Sequence, residues 1–308
     1  MIFGRNRSKR RGISSLALLL SICAFMFPAS ALAQAGFRQY DRQFVIGGRL
    51  PAAIILVGLA QDSVNVGKLL DIVAGKAGES FSRLDPQNPA GDVAKVEAKA
   101  GQGGVQVSDD VFAAFETAAQ VSDWTKGAFD IAYAGEGNWH DIKISKGSST
   151  VELKRSGMKI RFDPMIDGFM AELIARYLYT ANIQNAIVKV GNVFRGIGSS
   201  LAGPWKIQVQ DDAGTFARHA LNLTIENIGA ATVSASQFRS GVPDPRSKRD
   251  IQTPCRGVMM LANDAAIAEA LASAIFIMNP DEGMKVLTKY GKGLIVDNNG
   301  KFMRSPGF

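Results

Sequence analysis

The chain is poor in sulfur and imidazole: 308 residues hold only two cysteines and two histidines. Cys23 lies in an N-terminal apolar run that reads as removable, which leaves Cys255 alone in the mature protein. A single cysteine excludes an intramolecular disulfide, so the fold must stand on its core even in an oxidising compartment. Cys255 itself reads as a partly buried spectator rather than a reactive thiol. His140 and His219 lie far apart and have no cysteine pair, which excludes a zinc pattern. No G-x-G-x-x-G follows a strand with an acid downstream, so a Rossmann site is not expected. There is no internal repeat and no low-complexity tract. The one long apolar run, Ile13 to Phe27, is short for a spanning helix, which needs roughly 20 residues.

That run belongs to an export signal. Arg5, Arg7, Lys9, Arg10 and Arg11 form the positive region, and Ala31-Leu32-Ala33 is a small-residue cleavage site before Gln34. Residues 1–33 are therefore read as a cleaved signal and 34–308 as one domain. The expected destination is the periplasm, by the Sec route or, given Arg10-Arg11, the twin-arginine route. The signal holds five cations and no acids, so the formal charge of +7 less five leaves +2. A balance that small points to neither nucleic acid nor a membrane surface as partner, and no membrane span is expected after cleavage.

The mature chain alternates strand and helix signals. Residues 37–48 read as a strand ending in Ile46-Gly47-Gly48, and Ala52 to Val57 as a second. Ser63 to Glu79 has helical spacing through Val66, Leu69, Leu70, Ile72 and Val73. Pro86 to Gly104, polar and rich in glycine and proline, reads as an exposed loop. Ser108-Asp109 would cap a helix with Val111, Phe112, Phe115 and Ala119 on one face. Residues 151–162 alternate about Ser156-Gly157 as a half-exposed hairpin. Asp163-Pro164 stops it, and Asp163 would cap a helix buried through Phe169, Met170, Leu173, Ile174, Tyr177 and Leu178. Ala186 to Val190 is a short strand running into Gly191, Gly196 and Gly198. The second half is strand-rich, with a helix capped by Asn263 and a closing hairpin on Asn299-Gly300. Antiparallel strands mixed with helices indicate an α+β fold.

Four stretches carry a resemblance. Arg161 to Glu172 (RFDPMIDGFMAE) followed by Asn185 to Gly198 (NAIVKVGNVFRGIG) resembles D-L-G-G-I-A-K-G-Y-A-V-D followed by N-A-L-V-N-V-G-G-D-I-R-A-I-G. Gly127 to Asp130 reads G-A-F-D. Ala268 to Ser273 is similar to A-D-A-L-A-T. Ala231 to Gln237 occupies the place of A-T-S-G-D-Y. These are the motifs of the ApbE family, periplasmic FAD:protein FMN transferases, and the likeness runs from about residue 40 to 303. It implies an ApbE-like, T-fold-related arrangement of mixed antiparallel sheets with packed helices. It implies FAD as substrate or bound cofactor, Mg2+ as the cation, and an exported redox protein as the acceptor, flavinylated on threonine or serine. Carried over position by position, flavin contact falls on Ala128, Phe129, Asp130, Asp163, Asp167 and Ser234, and the metal on Glu269 and Ser273. The i, i+4 spacing of the last two sets them side by side on a helix.

Several polar positions depart from the family. Arg161 stands for its first aspartate, Asp167 for its lysine, and Gly241 for its histidine. No catalytic residue is assigned for that reason. Lys189 reads as a solvent-facing strand lysine rather than a phosphate contact. The departures set a second expectation beside the transferase: a flavin-binding carrier or accessory protein that has lost transfer. A third is a periplasmic protein that kept only the fold.

Overall fold

The computed structural model describes residues 36–209, 215–216, 222–237 and 242–308. The expected export signal, Cys23, His219 and Gly241 lie outside the described residues.

The chain opens with β1 (Phe37–Ile46) and β2 (Leu50–Leu59), then α1 (Ser63–Leu84), α2 (Asp92–Ala98), β3 (Val105–Gln106) and α3 (Asp109–Thr125). Next come β4 (Ile142–Ser145), β5 (Thr150–Leu153), α4 (Ile166–Thr180), β6 (Ala186–Val190) and β7 (Val193–Ile197). They are followed by β8 (Trp205–Gln208), β9 (Asn222–Ile225), β10 (Gly229–Ser234), β11 (Val242–Asp244), β12 (Arg249–Ile251) and β13 (Cys255–Ala262). The chain ends with α5 (Ala265–Ile277), α6 (Pro280–Tyr290), β14 (Lys292–Asp297) and β15 (Phe302–Arg304). This is the expected α+β class. Among the described residues no helix is long and apolar enough to cross a membrane.

Eight strands form one antiparallel sheet in the order β1-β2-β6-β7-β10-β13-β14-β15. Strand side chains alternate between faces, and here both faces are covered. Ile54, Leu56, Val188, Val258, Met260 and Ile295 meet the helices. Their neighbours Ile55, Ile187, Met259, Leu294 and Val296 pack instead against the β8–β9 hairpin through Trp205, Ile207, Leu223 and Ile225. Lys189, one residue past Val188, shares the hairpin-side face, where its ammonium lies 5.4 Å from the Phe194 ring centroid. Burial there lowers its pKa.

The centre of the helical layer is α5. Ten of its 13 residues are buried, so it is apolar nearly all round, as a helix enclosed by other elements must be. Its alanines permit close approach. A Cβ on Gly229 would lie 2.4 Å from Ala265 Cα, and one on Gly168 would lie 2.3 Å from the Ala265 carbonyl oxygen.

Five expectations are corrected. Within 86–104, residues Asp92–Ala98 form a helix, because Val93 and Val96 share one face and both are buried. Asp92 anchors it by accepting from the Ser108 amide (2.9 Å) and hydroxyl (2.7 Å), which takes the Ser108 side chain away from capping α3. The arm 158–162 does not pair with β5; β5 pairs with β3 and β4. Met158, Ile160 and Phe162 are still buried, held as the Ile160 amide donates to the Glu97 carboxylate and the Arg161 amide to the Ile131 carbonyl. The residue preceding α4 is Met165, not Asp163, and Asp264 rather than Asn263 caps α5, accepting from Ala266 and Ile267.

Candidate active site

A cavity of about 280 Å³ opens where four segments converge. The turn after α3 contributes Ala128, Phe129, Asp130 and, slightly later, Tyr133. The start of α4 contributes Asp163, Pro164 and Asp167. The end of β10 and the β11 strand contribute Val233, Gln237, Val242, Pro243 and Pro245. One stripe of α5 contributes Glu269, Ser273 and Ile277, spaced i, i+4, i+8. Seven of the eight positions assigned from the sequence therefore meet in one place, although they span residues 128 to 273.

The eighth, Ser234, does not. Strand alternation sends Val233 to the cavity and Ser234 to the opposite face, where its hydroxyl lies 2.8 Å from that of Ser236. Gln237 takes its place at the cavity and also accepts from the Ser234 amide (2.9 Å). Arg161 is also turned away, donating to Glu97 (3.0 Å).

The Ala128–Asp130 wall is set by the end of α3. Lys126 and Gly127 both adopt left-handed backbone (φ 51° and 79°), and a Cβ on Gly127 would press on the Trp139 indole nitrogen at 2.9 Å. Asp130 is buried, and its two carboxylate oxygens accept from the Ala132 (2.7 Å) and Trp139 (3.0 Å) amides. Burial nevertheless raises its pKa. Its hydrogen bonds hold the turn in shape, while the neighbouring Phe129 supplies apolar surface.

The opposite wall is an antiparallel pair of helices in a defined register. Ser273 Oγ donates to the Pro164 carbonyl (2.9 Å), the Gly168 amide donates to Glu269 Oε2 (2.7 Å), and the Ala265 amide donates to Glu172 Oε2 (2.9 Å). These contacts sit one turn apart. Each helix thus presents a glutamate to the unsatisfied first-turn amides of the other, where a negative charge is favoured. Glu172 is buried and also accepts from Arg195 Nε at 2.7 Å. Burial first, and then Asp264 beside it, still push the Glu172 carboxyl upward. Glu172 was not singled out in the sequence; its role depends on Ala265, 93 residues away.

Asp167 occupies the first turn of α4 and lies over Gly191. A Cβ on Gly191 would come within 1.8 Å of Asp167 Oδ2, so the glycine makes room for the carboxyl. The Asn192 amide bonds to it, but burial, with Asp163 adding to it, raises its pKa to about 6. Burial and the nearby Asp167 hold the enclosed Glu269 carboxyl well above its ordinary range. Two carboxyls are thus placed together in low-dielectric surroundings without a basic partner among the lining residues described. Among the described residues, no three acidic, histidine or cysteine side chains assemble into a metal cage.

Comparison with known proteins gives a consistent result. A family model described as "ApbE family" matches residues 132–296. The FAD:protein FMN transferase of Haemophilus influenzae is 22% identical over 159 residues, covering 48% of this chain and 46% of that protein. The enzyme of the same name from Escherichia coli K12 is 23% identical over 136 residues, covering 41% and 38%. The chain thus spans less than half the length of these curated relatives. Among solved structures, the flavin transferase ApbE of Vibrio cholerae superposes with a TM-score of 0.72 at 17% identity, covering 88% of this chain and 98% of that one. The apo flavinyl transferase ApbE of Pseudomonas stutzeri gives 0.73 at 15% identity, covering 88% and 95%. Identities this low establish the shared fold.

Proposed function

Because this chain belongs to the ApbE family, we propose that it is an FAD:protein FMN transferase. It would break the pyrophosphate of FAD, attach FMN to a threonine or serine hydroxyl of an acceptor protein and release AMP. The observation that carries this reading is the convergence of Ala128, Phe129, Asp130, Asp163, Asp167, Glu269 and Ser273 on one cavity. Phe129, Val233, Pro243 and Ile277 offer the apolar surface that an aromatic ring system requires. Tyr133 adds a phenol to the same lining.

The donor set fits a magnesium ion. Asp167 and Glu269 are carboxyls buried together without a cationic partner among the described lining residues, and Ser273 Oγ and the Pro164 carbonyl add hard oxygen donors beside them. Magnesium is ordinarily held by one or two carboxylates together with substrate phosphates rather than by a complete protein cage. When bound, it neutralises phosphate oxygens and polarises phosphorus. The chain's own part is to orient. The α4–α5 register holds Glu269 on the Gly168 amide and Ser273 on Pro164, so both face the cavity before any ligand enters. The signal read over residues 1–33 supports a periplasmic site of action on an exported redox protein.

One observation favours a second reading, a flavin carrier without transfer: an acid, Asp167, stands where the family has lysine. The test is direct. The mature protein from Gln34 is incubated with FAD, magnesium and an acceptor domain bearing a flavinylation threonine, and covalent flavin is read by in-gel fluorescence. Magnesium-dependent labelling that disappears in Glu269→Ala is expected. FAD binding without labelling, on an acceptor that a competent relative labels, would favour the carrier.

A further inference from the structure

We propose that the cavity admits FAD only as a divalent-cation complex, and that Asp167 imposes this order. The inference rests on the flavin-transfer reading above. A helix N-terminus is ordinarily a phosphate site, because its first amides point outward and its dipole favours negative charge. The α4 N-terminus faces this cavity, but its anion position is already filled. Glu269 Oε2 accepts from the Gly168 amide at 2.7 Å, and the Asp167 amide also bonds to the Glu269 carboxyl. The protein's own carboxyl thus takes the place a bare phosphate would use.

No described side chain offers an alternative. The lining contains four acids, Asp130, Asp163, Asp167 and Glu269, and no lysine, arginine or histidine among the described residues. Of the cations on flanking segments, Arg161 donates to Glu97 and Arg246 to Asp244, while Lys248 donates to the Gly135 carbonyl and acts, with His140, on Asp130 rather than on Asp167. The acids are not equivalent. Asp130 is held by two backbone amides and Glu269 by the amides at the start of α4. Asp163 is exposed, so water screens it. Asp167 is enclosed between α4 and the β6–β7 turn, with its oxygen over Gly191. It is the charge that an incoming pyrophosphate meets with least screening. A divalent ion held by Asp167 and Glu269 would supply the positive charge that this lining lacks.

The test reads binding, not turnover. Apo-protein dialysed against EDTA is titrated with FAD and, separately, with riboflavin, which has no phosphate, at pH 8 in EDTA or in millimolar magnesium. Affinity is read from flavin fluorescence. Wild type should bind FAD at least about tenfold more tightly in magnesium than in EDTA, the scale of one poorly screened charge contact. Riboflavin should show no such difference. The near-isosteric Asp167→Asn should tighten FAD binding in EDTA by at least about fivefold, and Asp167→Ser provides a second variant should Asn disturb the fold. Equal affinity of wild type for FAD in EDTA and magnesium would overturn the proposal, as would variants that leave the EDTA affinity unchanged. Riboflavin and FAD both failing to bind in every condition would instead remove the flavin reading on which it rests.

Discussion

Replacing Asp167 by asparagine should make the apo-protein more stable at neutral and alkaline pH. Asparagine keeps the shape over Gly191 and an acceptor for the Asn192 amide, but cannot ionise. Burial, with Asp163 adding to it, raises the folded-state pKa of Asp167 from 3.8 to about 6. A folded value above the unfolded one means that the folded chain holds the proton more tightly. The carboxyl is therefore no burden below about pH 4, and it destabilises progressively as pH rises through 6. A rise of that size corresponds to roughly 3 kcal/mol once ionisation is complete. For a domain this large, that is a change in Tm on the order of 5–10 °C. Thermal melts of the EDTA-treated mature protein from pH 4 to 8.5 would measure it. Wild type should lose stability across pH 4–7, while Asp167→Asn should show a shallower decline and melt higher at pH 8. Glu269, also raised, contributes the residual slope. A variant that melts at or below the wild-type temperature at pH 8 would refute the account of Asp167 as a buried, uncompensated charge.

Further outcomes follow from the same geometry. Glu172→Ala strands the Arg195 guanidinium and the Ala265 amide in a mostly buried setting, so chemical denaturation should show a loss of about 3–5 kcal/mol. Gly168→Ala gains roughly 1 kcal/mol of helix propensity but drives a Cβ to 2.3 Å from the Ala265 carbonyl oxygen, a backbone atom that cannot rotate away. The α4–α5 pair must open, so a lower Tm and weaker calorimetric magnesium binding are expected together. Cys255 is buried and its thiol is pushed up to about 12, so it should resist a thiol reagent at pH 8 in the native protein and react once denatured.

The parts of the site governed by local periodicity were legible in the sequence. Glu269 and Ser273 stand one turn apart, and that spacing alone sets them on one face of α5. The G-A-F-D turn and the start of α4 were legible through the family motifs, whose spacing this chain keeps even where it exchanges polar identities. Ser234, expected at the cavity, lies on the other face of its strand, because in a strand one residue is a whole face. The short α2 helix escaped because two buried valines in a polar, glycine-rich run make too weak a periodic signal.

Sequence alone therefore determined the class of the fold and most of the order of its elements and of its buried helix stripes, because these follow from the repeat of apolar residues along each segment. Tertiary structure decided how those stripes combine. The Glu172–Ala265 and Glu269–Gly168 contacts link residues 93 and 101 apart, and they exist only because Gly168 and Ala265 let two helices approach closely. The charge state of the site is decided the same way. Nothing local in the sequence marks the Asp167 carboxyl as buried; Gly191, Glu269 and the β6–β7 turn enclose it. Burial and proximity are properties of the packed chain and are not encoded in the local order of its residues.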